Sequence, residues 1–181
     1  MKTIESKRLY LRPWKMDDVA DLYEIAKHPQ IGPMCGWSAH SCIEHSAFIL
    51  KNVLITNDTF AILKKENDEI IGNISLMHMK SSNFARNEQE CELGFWIKEE
   101  CWNQGYMSEM LERMLVYAFY ELNMEVVWCG YFENNFASAR VQQKCGFTLK
   151  HIVQDLFVSA LHKKVNLYAN SISKKEWEER K

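Results

Sequence analysis

Between residues 91 and 132 the chain reads as strand, helix, strand, and this constrains the fold more than any other stretch. "CELGFWI" (91–97) is a strand-length apolar run. Met107, Met110, Leu111, Met114, Leu115, Ala118 and Leu122 then recur at helical spacing and form one apolar stripe. Their methionines are core filling, since the flexible thioether packs well in an irregular interior. "EVVWCGYF" (125–132) follows as a near-continuous apolar run, the pattern of a strand covered on both faces. Two strands joined through a helix lie parallel and side by side, with a right-handed crossover. With antiparallel strands elsewhere, the sheet reads as mixed, not doubly wound.

The flanking segments add antiparallel strands. "RLYLRPW" alternates and ends at Pro13. Residues 16–27 place Val19, Leu22, Tyr23 and Ala26 on one helical face. "SCIE" predicts a capping box, with Ser41 as cap and Glu44 at the third helical position, for a helix carrying Phe48, Ile49 and Val53. "TFAILKK", "ENDE" and "IIGNISLMHMK" read as strand, turn, strand, and residues 81–90 as loop. A short helix over 136–145 is closed by Gly146. "FTLKHIVQDLF" and "KKVNLYANS" form a last antiparallel pair, and a charged helix capped by Ser173 and Glu176 ends the chain. No linker or repeat interrupts the order, so residues 1–181 read as one domain. The expected architecture is a mixed α/β sheet, about seven strands around a parallel central pair with about four helices.

Composition narrows the function. The net charge of −2 offers no basic field for nucleic acid. The opening "MKTIESKRLYLRPW" has no apolar leader, and no run approaches a membrane span. Six cysteines without a C-x-x-C pair read as buried free thiols in a reducing cytoplasm. No Cys/His spacing suits a metal, so none is expected.

The start of the helix that carries this stripe is unusual. "WNQGYMSEM" (102–110) offers Asn103, Gln104 and Gly105 where a capping residue and early acids are customary, and no acid precedes Glu109. First-turn N–H groups, with the positive end of the helix dipole, bind an anion such as phosphate. A glycine lets the ligand come close to the backbone. A P-loop is excluded because no Lys follows Gly105, and a dinucleotide fingerprint because only one glycine is present.

Residues 92–108, "ELGFWIKEECWNQGYMS", resemble the fourth strand, pyrophosphate loop and following helix of the GCN5-related N-acetyltransferases (GNAT). The likeness is greatest to the branch of the ribosomal-protein N-terminal alanine and serine acetyltransferases. "NFASARVQQKCGF" (135–147) resembles the second signature, N-x-x-S followed by K-x-G-F. The opening "SKRLYLRPWKMDD" and the tail "NLYANSISKKEW" resemble the same branch, so the likeness spans the chain.

That resemblance implies acetyl-CoA as cosubstrate, with its pyrophosphate on the loop Asn103, Gln104, Gly105, Tyr106, Met107 and Ser108. Backbone groups of Trp96 and Ile97 would hold the pantetheine arm, with an N–H near Phe95 on the acetyl carbonyl, and Asn135 and Ser138 would contact the cofactor. Met107 stands where relatives usually have a small residue. Gln142 stands where many have a tyrosine that protonates the leaving thiolate. Ser138 is then the candidate donor to sulfur, unless the thiolate, from a thiol of pKa about 8.5, leaves unaided. Glu92 is the leading candidate for the base that takes the amine proton, ahead of Glu90. "GWSAH" resembles the acceptor-facing loop, so Trp37 and His40 are candidate substrate contacts, with His40 a reserve base. His78, Asp155 and Tyr168 are further candidates on the acceptor side. The acceptor is a protein N-terminal amine, or alternatively a small amine such as a polyamine, amino sugar or antibiotic. A non-catalytic CoA-binding module is the competing class. The expected state is a monomer or homodimer without nucleic-acid or membrane partners.

Overall fold

The computed structural model describes residues 4–56 and 58–180. Eight strands are hydrogen-bonded in the order β1-β2-β3-β4-β5-β6-β8-β7. They are β1 (Ile4–Glu5), β2 (Leu9–Pro13), β3 (Thr59–Lys64), β4 (Ile70–His78), β5 (Glu90–Ile97), β6 (Val126–Phe132), β7 (Thr148–Val158) and β8 (Lys163–Ser173). The helices are α1 (Val19–Ala26), α2 (Ile31–Cys35), α3 (Ile43–Ile49), α4 (Tyr106–Val116), α5 (Phe136–Lys144) and α6 (Lys174–Glu178). The expected parallel pair is β5 and β6, in register Glu90↔Val126, Cys91↔Val127 and Glu92↔Trp128. Among the described residues the strand count is eight, one more than expected, because β1 is a two-residue strand paired to β2.

Contacts gather into two units. One holds the described residues up to Ser75, Phe95–Tyr106 and Ser159–Leu161. The other holds Leu76–Gly94, Met107–Val158 and the described residues from His162.

In the first unit, β2, β3 and the start of β4 form an antiparallel ladder. Trp14, Leu22, Ile25, Leu50, Leu54 and Leu63 are buried together, with Trp37, Trp96 and Trp102 packed against them. Gly72 is required there, since a Cβ would lie 2.4 Å from the Trp96 carbonyl oxygen. The capping box expected at Ser41 is absent. The cap position belongs to Cys42, whose backbone is extended, and no side chain caps α3. Phe48 and Val53 are exposed, while Leu50 and Leu54 are buried. The helix widens into a π turn over Leu50–Leu54, which rotates the buried stripe out of the 3.6-residue phase.

Asp18 pins the start of α1. Its carboxylate accepts from Arg12 Nη1 and Nη2 at 2.7 and 2.8 Å and from the Lys15 N–H at 2.8 Å. Burial alone would raise its pKa. The guanidinium and the N–H outweigh that and hold it below the ordinary 3.8. A depressed folded value means that this contribution is complete above pH 3.8 and is lost as pH falls through the folded value. Asp18→Asn is expected to cost about 1–2 kcal/mol at pH 7. The difference from wild type should shrink steadily in urea titrations at lower pH, and a pH-independent difference would refute the pairing as its cause.

In the second unit, α4 buries Met107, Met110, Leu111, Met114 and Leu115, the stripe read from the sequence, and continues as a π turn over Tyr117–Glu121. β6, β8 and β7 are antiparallel neighbours. The Ser173–Glu176 capping box is present as expected. Gly146, at φ +85°, leaves α5, and a Cβ there would lie 2.5 Å from Arg180. The Arg180 guanidinium bonds the carbonyls of Lys144 and Cys145, a cation at the negative helix end. Four of the six cysteines, Cys91, Cys101, Cys129 and Cys145, are buried thiols; Cys35 and Cys42 are exposed, which departs from the expected burial.

Candidate active site

The loop ahead of α4 is shaped by two left-handed residues. Asn103 has φ +59° and Gly105 has φ +79°. Asparagine and glycine are the residues that tolerate this region, which explains their placement. The alternation turns the backbone sharply into Tyr106, where the helix and its unsatisfied first-turn N–H groups begin. Asn103, Gln104 and Gly105 are exposed. A Cβ on Gly105 would meet one neighbour within 4 Å, Arg8 Nη2 at 3.6 Å, so the space above the loop is open. A cradle of this kind fits a phosphate-bearing ligand.

Arg8 was not anticipated as part of this loop. Its Nη1 donates to the Gln104 carbonyl at 3.1 Å, and its guanidinium lies 4.2 Å from the Tyr106 ring centre. Lys64 Nζ lies 5.7 Å from the same ring. The signal in sequence was only a basic residue opening the first alternating stretch. Nothing local tied it to a loop 96 positions away.

Elsewhere in the first unit, the Trp102 indole donates to the Ile97 carbonyl at 2.9 Å, so that oxygen is already engaged on one side. Trp96 packs edge-on to Trp37 with ring centres 6.1 Å apart. Trp37 is seated by Gly32, where a Cβ would approach its ring to 2.6 Å. His40 is buried, and its Nδ1 is 2.8 Å from Ser46 Oγ. Burial, and then the neighbouring His45, lower its pKa to about 4. At neutral pH it is uncharged, with its Nδ1 already engaged by Ser46.

In the second unit Glu92 stands on β5, 5% exposed. Its Oε2 accepts from Ser82 Oγ at 2.8 Å and from the Asn83 N–H at 2.6 Å. Its Oε1 takes one long bond of 3.4 Å from Asn83 Nδ2. Oε1 is thus the oxygen with acceptor capacity in hand. Gly94, two residues on, has a single neighbour within 4 Å of a built Cβ, Met77 Cε at 3.1 Å. The parallel ladder ends at Glu92 and Trp128, and Leu93, Gly94, Cys129 and Gly130 carry the two strands beyond it. Glu90, the weaker alternative, accepts from Trp128 Nε1 at 2.7 Å, from the Arg86 N–H at 3.2 Å and from Asn87 Nδ2 at 2.8 Å. Both of its carboxylate oxygens are thus engaged within 3.2 Å.

Asn135 caps α5, its Oδ1 accepting from the Ser138 N–H at 3.1 Å. Ser138 Oγ accepts from Gln142 Nε2 at 3.0 Å, one turn further along. Tyr168 stacks on Tyr131, with ring centres 5.1 Å apart. Asp155 is exposed where the β7–β8 register shifts. Within each unit the structure therefore groups Asn103 through Tyr106 with Arg8, Trp37 with Trp96, and Asn135 with Ser138. Glu92 keeps partners of its own in the 82–83 turn. Among the described residues no cluster of His, Cys, Asp or Glu is arranged to hold a metal ion, and no helix is long and apolar enough to cross a membrane.

A sequence model of the acetyltransferase (GNAT) domain matches residues 8–148, most of the chain. The chain belongs to the GNAT family. The uncharacterized N-acetyltransferase p20 of Bacillus licheniformis is 21% identical over 185 residues, covering 98% of this chain and 99% of that protein. A GNAT acetyltransferase from Bacillus anthracis has the same fold, with a TM-score of 0.84, 17% identity and coverage of 96% and 99% of the two chains. The ribosomal-protein-S5-alanine acetyltransferase of Vibrio fischeri superposes with a TM-score of 0.74 at 17% identity, over 98% and 99%. The GNAT assignment makes the chain an N-acetyltransferase, of a family that uses acetyl-CoA.

Proposed function

We propose that this GNAT enzyme transfers the acetyl group of acetyl-CoA directly to a primary amine within a ternary complex, and that residues 1–181 act as one catalytic domain. The observation that carries the reading is the left-handed pair Asn103 and Gly105 at the start of α4, with Arg8 beside it. The backbone N–H groups of Gln104 through Ser108 bind pyrophosphate, and Arg8 adds a positive charge at its edge. Backbone groups of Trp96 and Ile97 hold the pantetheine arm, and Asn135 lies against it. Glu92 accepts the amine proton through Oε1, and Ser138 donates to sulfur as the thioester breaks.

The acceptor we favour is a protein N-terminal α-amine, on the likeness of the 92–108 and 135–147 motifs to the ribosomal-protein branch. Trp37 offers an aromatic surface suited to a peptide backbone. A panel of N-terminal peptides and small amines, read by thiol release, decides between this and a small-amine acceptor.

Gly105→Trp tests the loop. A side chain at φ +79° is strained by about 1–2 kcal/mol, and an indole would fill the open space above the backbone. Acetyl-CoA affinity is expected to fall at least about tenfold. Unchanged calorimetric affinity in the folded variant would place the cofactor elsewhere.

A further inference from the structure

Gln142 is fully buried, although it stands on the first helix after β6 where an apolar residue would pack without cost. Its amide has three partners, and they fix which end points where. The Gly130 carbonyl can only accept, so the nitrogen must face it, at 3.3 Å. The second Nε2 hydrogen then goes to Ser138 Oγ at 3.0 Å. Oε1 is left to accept from Asn170 Nδ2 at 2.9 Å. Asn170 is 6% exposed, and its own Oδ1 is buried without a partner. Turning Asn170 round would set two oxygens against each other. The fold therefore keeps an orphaned acceptor in order to present an N–H to Gln142.

The consequence falls on Ser138. A hydroxyl that accepts from Gln142 must send its own proton elsewhere. Among the described residues no group accepts it. A serine in the first turn of a helix commonly bonds back to local backbone, and here the amide chain prevents the inward orientation. We infer that Asn170 and Gln142 are positioning residues that hold the Ser138 hydroxyl as an outward-facing donor to the sulfur of CoA, in place of a phenol. This rests on the acetyl-CoA reading above. In the transfer the C–N bond forms and the C–S bond breaks. The amine proton passes to Glu92, and the sulfur leaves as thiolate under the Ser138 hydrogen bond, to be protonated from solvent.

The test reads binding rather than turnover. CoA and desulfo-CoA are titrated by calorimetry at pH 9, where a free thiol is largely ionised. Wild type should prefer CoA by about tenfold, the worth of one charge-assisted hydrogen bond. Gln142→Met keeps length and volume but deletes both polar ends, so nothing holds the Ser138 hydroxyl as an acceptor and its proton is no longer directed. Gln142→Glu offers Ser138 an acceptor instead of a donor. Each should bring the preference close to parity, as should Ser138→Ala, while desulfo-CoA affinity stays within about twofold of wild type. Either variant suffices if the other fails to fold. A preference retained in a folded variant, or absent from wild type, overturns the positioning role and leaves the acetyl-CoA reading standing. Wild-type protein that binds neither ligand overturns both.

Discussion

Glu92→Gln is expected to lower kcat/KM for the amine acceptor by about 10²–10⁴-fold, with acetyl-CoA affinity unchanged. The carboxylate has two unequal oxygens. Oε2 is held by Ser82 Oγ and the Asn83 N–H, and these bonds anchor the 82–83 turn. Oε1 has only a 3.4 Å contact with Asn83 Nδ2. A glutamine can place its oxygen where Oε2 was and preserve the anchor. Its NH₂ then occupies the Oε1 position, where it donates and cannot accept a proton. The substitution therefore separates a structural carboxylate from a base. The deficit should shrink as pH rises toward the pKa of the acceptor amine, because more amine arrives neutral. A pH–rate profile of both forms on one confirmed acceptor makes the measurement. Full activity with the same acidic limb would make Glu92 an anchor only, and a water chain would be the next candidate.

The unequal legibility of this fold follows from the length and regularity of its elements. The β5–α4–β6 unit was readable because each part buries enough side chains to leave a period in the sequence. α2 was not readable. It is five residues long and contains Gly32 and Pro33, which ordinarily punctuate turns. β1 has two residues and no alternation to show. The cap of α3 was displaced by one position, a shift too small for pattern alone to resolve. At the site, the glycine of the α4 loop was legible because backbone conformation dictates residue type there. Arg8 was not, because its partners are Gln104 and Tyr106. The Gln142 amide chain was hidden for the same reason: Asn170 reaches it from β8, 28 positions away. His40 looked like a titratable group beside an acceptor loop, and burial against Ser46 gives it a packing role instead.

Ser138→Ala should lower kcat by about 10–100-fold while KM for acetyl-CoA moves by less than about threefold. Among the described residues the hydroxyl makes one bond, as acceptor from Gln142. Removing it leaves Gln142 Nε2 still paired to the Gly130 carbonyl, so the buried amide is not stranded. The Asn135 cap is also kept, because it binds the Ser138 backbone N–H and not the side chain. The helix start is therefore preserved, and ground-state binding should barely change. In the proposed role, what disappears is a donor to charge that grows on sulfur only as the C–S bond lengthens. An interaction made mainly in the transition state is lost from kcat and kcat/KM together. The loss should also track the leaving group. A less basic thiolate needs the donor less, so the ratio of wild-type to variant rate should fall with thioesters of more acidic thiols. A variant that changes KM alone, or a ratio indifferent to the leaving thiol, would reduce Ser138 to a binding residue.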